Sequence, residues 1–270
     1  TLLNIMRYLS NAILIISGRD VEQLRLEFEK DRGLAKSVAI NLEPFKVQAS
    51  REYFDKKQTS LNLRLGLSEE EIEKIIFLSR GLPVQIDLAV DWLSRDNSRD
   101  WLDEDPLDSL KKLSTKNLEE RRKKFEQALV KHIERLQLNQ DRLALALAWV
   151  NPIDKELCAQ LLDIPEAKAA ELLEEVRKLS FIKSLPDGRI KLHDYVQDMV
   201  LEYVWTQLET DRRNETSQLA SEYYANKMNE LRGLIQDSQA TPERETLFHG
   251  YMQLGMEWVR HSLYADPEKG

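Results

Sequence analysis

The chain has 270 residues, 32% of them charged, and its 39 Lys and Arg against 47 Asp and Glu leave a formal net charge of −8. That balance excludes a protein that coats nucleic acid by bulk charge. The single cysteine, Cys158, excludes a disulfide framework and suits a reducing cytoplasm, and no apolar run approaches the roughly 18 residues of a spanning helix. The length predicts about two domains, and nine Gly with eight Pro point towards helices. The opening Thr1-Leu2-Leu3 lacks a secretory signal pattern and reads as a cut inside a larger protein.

Ala12 to Ser17 is a continuous β-branched apolar run, the pattern of a strand buried on both faces of a parallel sheet. Val21 to Lys30 reads as a short helix, and Ser37 to Leu42 as a second strand that Glu43-Pro44 closes. Residues 1–45 therefore read as the C-terminal end of a parallel α/β domain. Two strands make no stable sheet alone, so the others are expected upstream.

Residues 46–117 turn helical. Ser68-Glu69-Glu70-Glu71 is a capping box, Gly81 supplies a stop, and Leu82-Pro83 opens the next helix towards Trp92. Arg95 to Asp105, with Trp101, reads as a polar loop. In residues 118–205, a helix over Leu118 to Leu138 precedes three helices and a hairpin. Asp141 to Trp149 is too apolar for a surface helix, Asp154 caps a second, and Pro165 opens a third with its stripe Ala169, Leu172, Leu173, Val176 and Leu179. Pro186-Asp187-Gly188 then turns Phe181–Leu185 back along Arg189–Leu192. Helix–helix–helix–hairpin is a winged-helix order. Residues 206–270 read as helical, with Thr241-Pro242 a helix start and a possible first unit of a repeat array. The fold class is thus mostly α.

Three short features carry chemistry. Arg19 follows the first strand, where open α/β sheets bind ligands, and a guanidinium forks onto phosphate. The bland alternative is a surface arginine pairing with Asp20 or Glu22. Gly81-Leu82-Pro83 exposes a rigid ring at a helix start, which can pack on a base; equally, it is an ordinary stop and start. In Leu192-His193-Asp194, His193 sits at a helix N-terminus, where an imidazole can donate to phosphate beside backbone N–H groups. The alternative there is that Asp194 caps the helix and His193 merely fills space.

In this order, with Leu42-Glu43-Pro44-Phe45 ending the second strand, these features resemble the NB-ARC-type STAND ATPases, the signal-transduction P-loop NTPases of plant immune receptors, apoptotic-protease activators and bacterial regulators. The resemblance spans about residues 12–205. It implies that Arg19 is the sensor arginine addressing the γ-phosphate of ATP, here after Ser-Gly rather than Thr-Thr or Thr-Ser. It implies that Pro83, with Gly81 and Leu82, packs near the adenine, and that residues 46–117 form a helical lid. His193, with Asp194, then stands where the family's Met-His-Asp histidine holds the β-phosphate of ADP, Leu192 replacing the Met. The implied function is a cytoplasmic switch, closed with ADP and opening to self-associate on ATP exchange, that relays a signal sensed by C-terminal repeats. No G-x-x-x-x-G-K-[ST] motif and no Walker B acidic pair occurs in the chain. The resemblance therefore places the phosphate loop and most of the Mg²⁺ site upstream, so this piece alone should hydrolyse nothing.

Two other classes compete. A winged helix suggests a DNA-binding regulator, but the candidate recognition helix Pro165 to Lys178 carries Glu166, Glu171, Glu174 and Glu175 against Lys168, Arg177 and Lys178, which repels phosphate. The basic run Arg121 to Lys124 is interleaved with acids, the pattern of a solvated face. A purely helical adaptor would show no ATP or ADP dependence at any length. The four histidines lack metal-ligand spacing. Cys158, a conceivable nucleophile with His132, lies inside an apolar stripe.

Overall fold

A computed structural model of the chain describes residues 43–265, apart from 64, 96–98, 101, 103, 138 and 239–240. The two expected strands, the helix between them, Arg19 and Trp101 lie outside the described residues.

The described chain is mostly helical. In order come α1 (Val47–Ser60), α2 (Glu69–Leu78), α3 (Pro83–Arg95), α4 (Leu107–Lys111), α5 (Thr115–Lys131), a 3₁₀ turn (His132–Arg135), α6 (Gln140–Trp149), α7 (Lys155–Leu162) and α8 (Glu166–Val176). A hairpin of β1 (Ile182–Ser184) and β2 (Ile190–Leu192) follows. Next are α9 (Asp194–Tyr203), a 3₁₀ turn (Trp205–Gln207), α10 (Thr210–Asp237) and α11 (Thr241–Ala265).

Local chemistry sets most of these boundaries. The capping box forms as expected: Glu71 N–H donates to Ser68 Oγ at 3.3 Å, and Ser68 N–H to Glu71 Oε2 at 2.7 Å. Asp154 caps α7 by accepting from Leu157 N–H at 2.8 Å. The helix expected over Leu118 to Leu138 is corrected at both ends. Ser114 offers its hydroxyl to Asn117 N–H, starting α5 at Thr115. The α-helix stops at Lys131, and Asn139 takes a left-handed conformation that no helix continues.

The order three helices then hairpin is present, with β1 and β2 antiparallel, Ile182 facing Leu192. Ile153, just before α7, bridges Ile190, and the two residues exchange backbone hydrogen bonds of 3.0 and 2.9 Å. One continuous core runs through α1 to α9 and onto α10. α6 is central, with Leu143, Ala144, Leu147 and Ala148 fully buried. α10 packs along α7, where Gln160 Nε2 donates to Leu219 O and Tyr223 O–H to Asp154 at 2.5 Å, and α11 returns along α10. Among the described residues no helix is long and apolar enough to cross a membrane.

α3 positions everything that follows. Nine of its residues from Val84 to Leu93 are buried, including Gln85 and Asp91. A helix wrapped on all sides must hydrogen-bond its buried polar groups or lose stability.

Candidate functional site

Gly81-Leu82-Pro83 sits in the tight turn between α2 and α3. Gly81 has φ +72°, and a Cβ there would lie 2.0 Å from the carbonyl oxygen of Phe45. Phe45 N–H donates to Gly81 O at 2.9 Å. Only glycine permits this approach, so Pro44-Phe45 is held against the start of α3. Phe45 in turn packs on Tyr53, ring centroids 5.6 Å apart.

His193-Asp194 begins α9. Asp194 does not cap the helix. His193 does, its Nδ1 accepting from Tyr195 N–H at 3.4 Å, while Asp194 faces Lys191 at 2.9 Å and Lys183 at 3.6 Å. Two lysines claim the aspartate, which leaves the cap to the preceding ring. An accepting Nδ1 places the neutral ring's proton on Nε2, making that nitrogen a donor at a helix N-terminus. His193 N–H also donates to Phe181 O at 2.7 Å, fixing the end of the hairpin.

The two motifs are tied together two residues inward from each. Gln85, fully buried, donates from Nε2 to Tyr195 O–H at 2.8 Å and to Glu126 Oε1 of α5 at 2.9 Å. Tyr195 O–H donates to the same Glu126 oxygen at 2.9 Å, closing a triangle. Tyr203 O–H reaches Glu126 Oε2 at 3.4 Å, and Arg80 stands 3.9 Å from Glu126 while pairing with Glu119 at 2.8 Å. Glu126 is 8% exposed, so its charge rests almost entirely on these donors. Burial, then Glu126, pushes the Tyr195 phenol above its ordinary range; the same causes push Tyr203 up to about 12. Both stay protonated donors at neutral pH. Gln85 Oε1 is buried without a hydrogen-bond partner.

The other polar groups of α3 reach different elements. Asp87 accepts from Tyr53 O–H at 3.0 Å and pairs with Lys57 at 3.0 Å, both on α1. Asp91 accepts from Ser180 N–H at 2.9 Å, just before the hairpin, and its burial raises its pKa. Trp92 Nε1 donates to Leu129 O at 2.9 Å. α3 is thus bonded to α1, α5, α9 and the approach to the hairpin.

Of the residues singled out in the sequence, Gly81, Leu82 and Pro83 at one end and His193 and Asp194 at the other join through this triangle; Arg19 lies outside the described residues. Gln85, Glu126, Tyr195 and Asp91 were not anticipated. Their signal was weak: Gln85 interrupts Val84 to Ile86, and Tyr195 directly follows His-Asp. The alternative nucleophile gains nothing. Cys158 is buried with its thiol pushed up to about 12 by desolvation, and His132 stacks on Trp92 and meets Asp100 at 3.0 Å. Among the described residues no group of three His, Cys, Asp or Glu could hold a metal ion. The chain has no match among protein-family models, curated proteins or solved structures.

Proposed function

We propose that this chain is the nucleotide-sensing half of a STAND-type regulatory ATPase, with 46–117 a helical lid, 118–205 a winged-helix module and 206–270 the first helices of a sensor array. Arg19, Pro83 and His193 address ATP or ADP, and Mg²⁺ is held mostly by residues upstream of this chain. The bound nucleotide sets the relation of lid to winged helix, and exchange of ADP for ATP opens the protein to self-association in the cytoplasm.

The observation that carries this reading is the Gln85–Glu126–Tyr195 triangle. It couples the start of the Gly-Leu-Pro helix to the start of the His-Asp helix. A ligand touching both starts would alter one mechanical unit. The donor nitrogen of His193 at the head of α9 fits a phosphate oxygen. DNA binding finds less support, because Glu166, Glu171, Glu174 and Glu175 are all exposed on α8.

The test is nucleotide retention in the full-length protein that contains this chain. His193→Ala is expected to lose co-purifying ADP and to shift the protein towards a larger oligomer. ADP content and oligomer size identical to wild type would refute the role of His193. No dependence on either nucleotide in any longer form would favour the helical adaptor.

A further inference from the structure

α5 carries the basic run that reads in sequence as a solvated face, because acids are interleaved with it. The fold separates the two signs. Glu126 is turned inward, into the triangle with Gln85 and Tyr195, and Glu119 pairs with Arg80 at 2.8 Å and with Arg122 at 2.9 Å. Acids of the preceding loop are engaged too, Asp105 by Arg121 at 2.6 Å and Asp100 by His132 and Arg135. Lys116, Lys123, Lys124 and Lys131 are exposed, and none has an ion-pair or hydrogen-bond partner among the described residues. At about 100° and 1.5 Å per residue, these lysines fall within an arc of about 100° and run about 22 Å along the helix. Only Glu120 and Gln127 share that arc. Just beyond its two ends, exposed Lys112 and Glu134 offset each other.

We propose that this strip binds the phosphate backbone of duplex nucleic acid. A duplex presents about one negative charge per 1.7 Å of its axis, and a lysine ammonium, a point charge on a flexible stem, meets phosphate oxygens without a fixed register. The strip holds no aromatic or aliphatic side chain. A protein interface needs such anchors at its centre and is poor in lysine, and an interfacial helix sinks an apolar face into a membrane. A bilayer is also flat, and would bring the surrounding acids of this chain of net charge −8 against anionic headgroups. A duplex is narrow enough to meet the strip alone, and acids more than about 8 Å away are screened at physiological salt. The contact responds to charge rather than base sequence, and it is not the winged-helix mode, whose α8 stays acidic. It does not depend on the proposed nucleotide site.

Fluorescence anisotropy of a labelled DNA duplex of about 20 base pairs, titrated with the 270-residue chain between about 20 and 80 mM salt, tests this. At about −0.9 per neutralised phosphate, the lysines of the strip predict a log–log salt slope of about −3.6, a loss of about 150-fold in affinity across that range. Lys123→Gln should make the slope shallower by about one, whereas Lys168→Gln, at an exposed position on α8, should leave it unchanged. Glu120→Gln should tighten binding at least about twofold, the effect of removing one charge about 8 Å from a phosphate in water. A damaged fold cannot produce that gain. No binding at the lowest salt, a slope that Lys123→Gln leaves unchanged, or weaker binding by Glu120→Gln overturns the proposal. Tighter binding to poly-glutamate or to phosphatidylserine vesicles than to the duplex also overturns it, and assigns the strip to an acidic protein or to a membrane.

Discussion

Replacing Glu126 by leucine tests whether the buried triangle holds α3 to α5 and α9. The change keeps most of the side-chain volume but removes both acceptor oxygens. Gln85 Nε2 and Tyr195 O–H, each at 2.9 Å, lose a charged acceptor. Hydrogen bonds to charged groups contribute about 1.5–3 kcal/mol each, so two losses come to about 3–6 kcal/mol. The 3.4 Å contact from Tyr203 is long and adds little. Burying a leucine side chain returns about 1–2 kcal/mol. The net expectation is a loss of about 1–5 kcal/mol, with Glu126→Gln lying between wild type and Glu126→Leu because it keeps one acceptor. Denaturant unfolding of the chain, followed by near-ultraviolet circular dichroism, reads this directly. A double-mutant cycle with Tyr195→Phe should show coupling of at least about 1 kcal/mol. If Glu126→Leu stays within about 0.5 kcal/mol of wild type, or the two changes add, the triangle is not the tie described here.

Two further outcomes are expected. Gly81→Ala puts a methyl 2.0 Å from Phe45 O at φ +72° and should displace the Phe45 segment. Left-handed backbone alone costs a non-glycine residue about 1–2 kcal/mol. Amide exchange at Phe45 should then quicken by at least about tenfold, and protection equal to wild type would refute the steric reading. His261 is fully buried, stacks on Tyr224, and faces Arg260 and Glu257, the latter at 3.8 Å, with neither ring nitrogen hydrogen-bonded. Desolvation, then Arg260, lowers its pKa from 6.5 to about 4, so protons bind the unfolded chain preferentially. Its contribution is complete above about pH 6.5 and is lost as pH falls towards about 4, up to about 3 kcal/mol in all. His261→Phe should flatten the stability–pH curve in that window, and an unchanged slope would refute the assignment.

The local elements were legible because their signals are local. Ser68, Asp154 and the Pro186-Asp187-Gly188 turn carry their hydrogen-bonding chemistry within a few residues, and all three do in the structure what their spacing predicts. The end of α5 was not, since the helix passes there into the 3₁₀ turn His132–Arg135 with no Gly or Pro to mark the change. The candidate site was half legible. Gly81 and His193 stand out by residue type, but their coupling runs through Gln85, Glu126 and Tyr195, which are 41 to 110 positions apart in sequence. A glutamate amid Arg121 to Lys124 and Gln127 reads as solvated. Only packing α5 against α3 and α9 reveals it as buried. The same packing turns Gln85 and Asp91 from breaks in an apolar stripe into the bonds that orient α3.

The energy of the triangle sets the scale of the proposed switch. Separating α3 from α5, α9 and the approach to the hairpin would break Gln85–Glu126, Gln85–Tyr195 and Asp91–Ser180. At a net contribution of about 1–2 kcal/mol each these amount to about 3–6 kcal/mol. Moving a two-state equilibrium from 1:99 to 99:1 takes about 5.5 kcal/mol of differential ligand affinity. On the proposed reading, a nucleotide that prefers one arrangement by that much opens the interface, which thermal fluctuation alone would populate only rarely. It follows that weakening the triangle should do part of the nucleotide's work. In the full-length protein Glu126→Leu is expected to mimic His193→Ala in oligomer size, although Glu126 is buried and its own donors are Gln85 and the two tyrosines. If Glu126→Leu lowers stability by the expected amount yet leaves oligomer size unchanged, the triangle is structural only, and the opening movement must leave α3 bonded to α9.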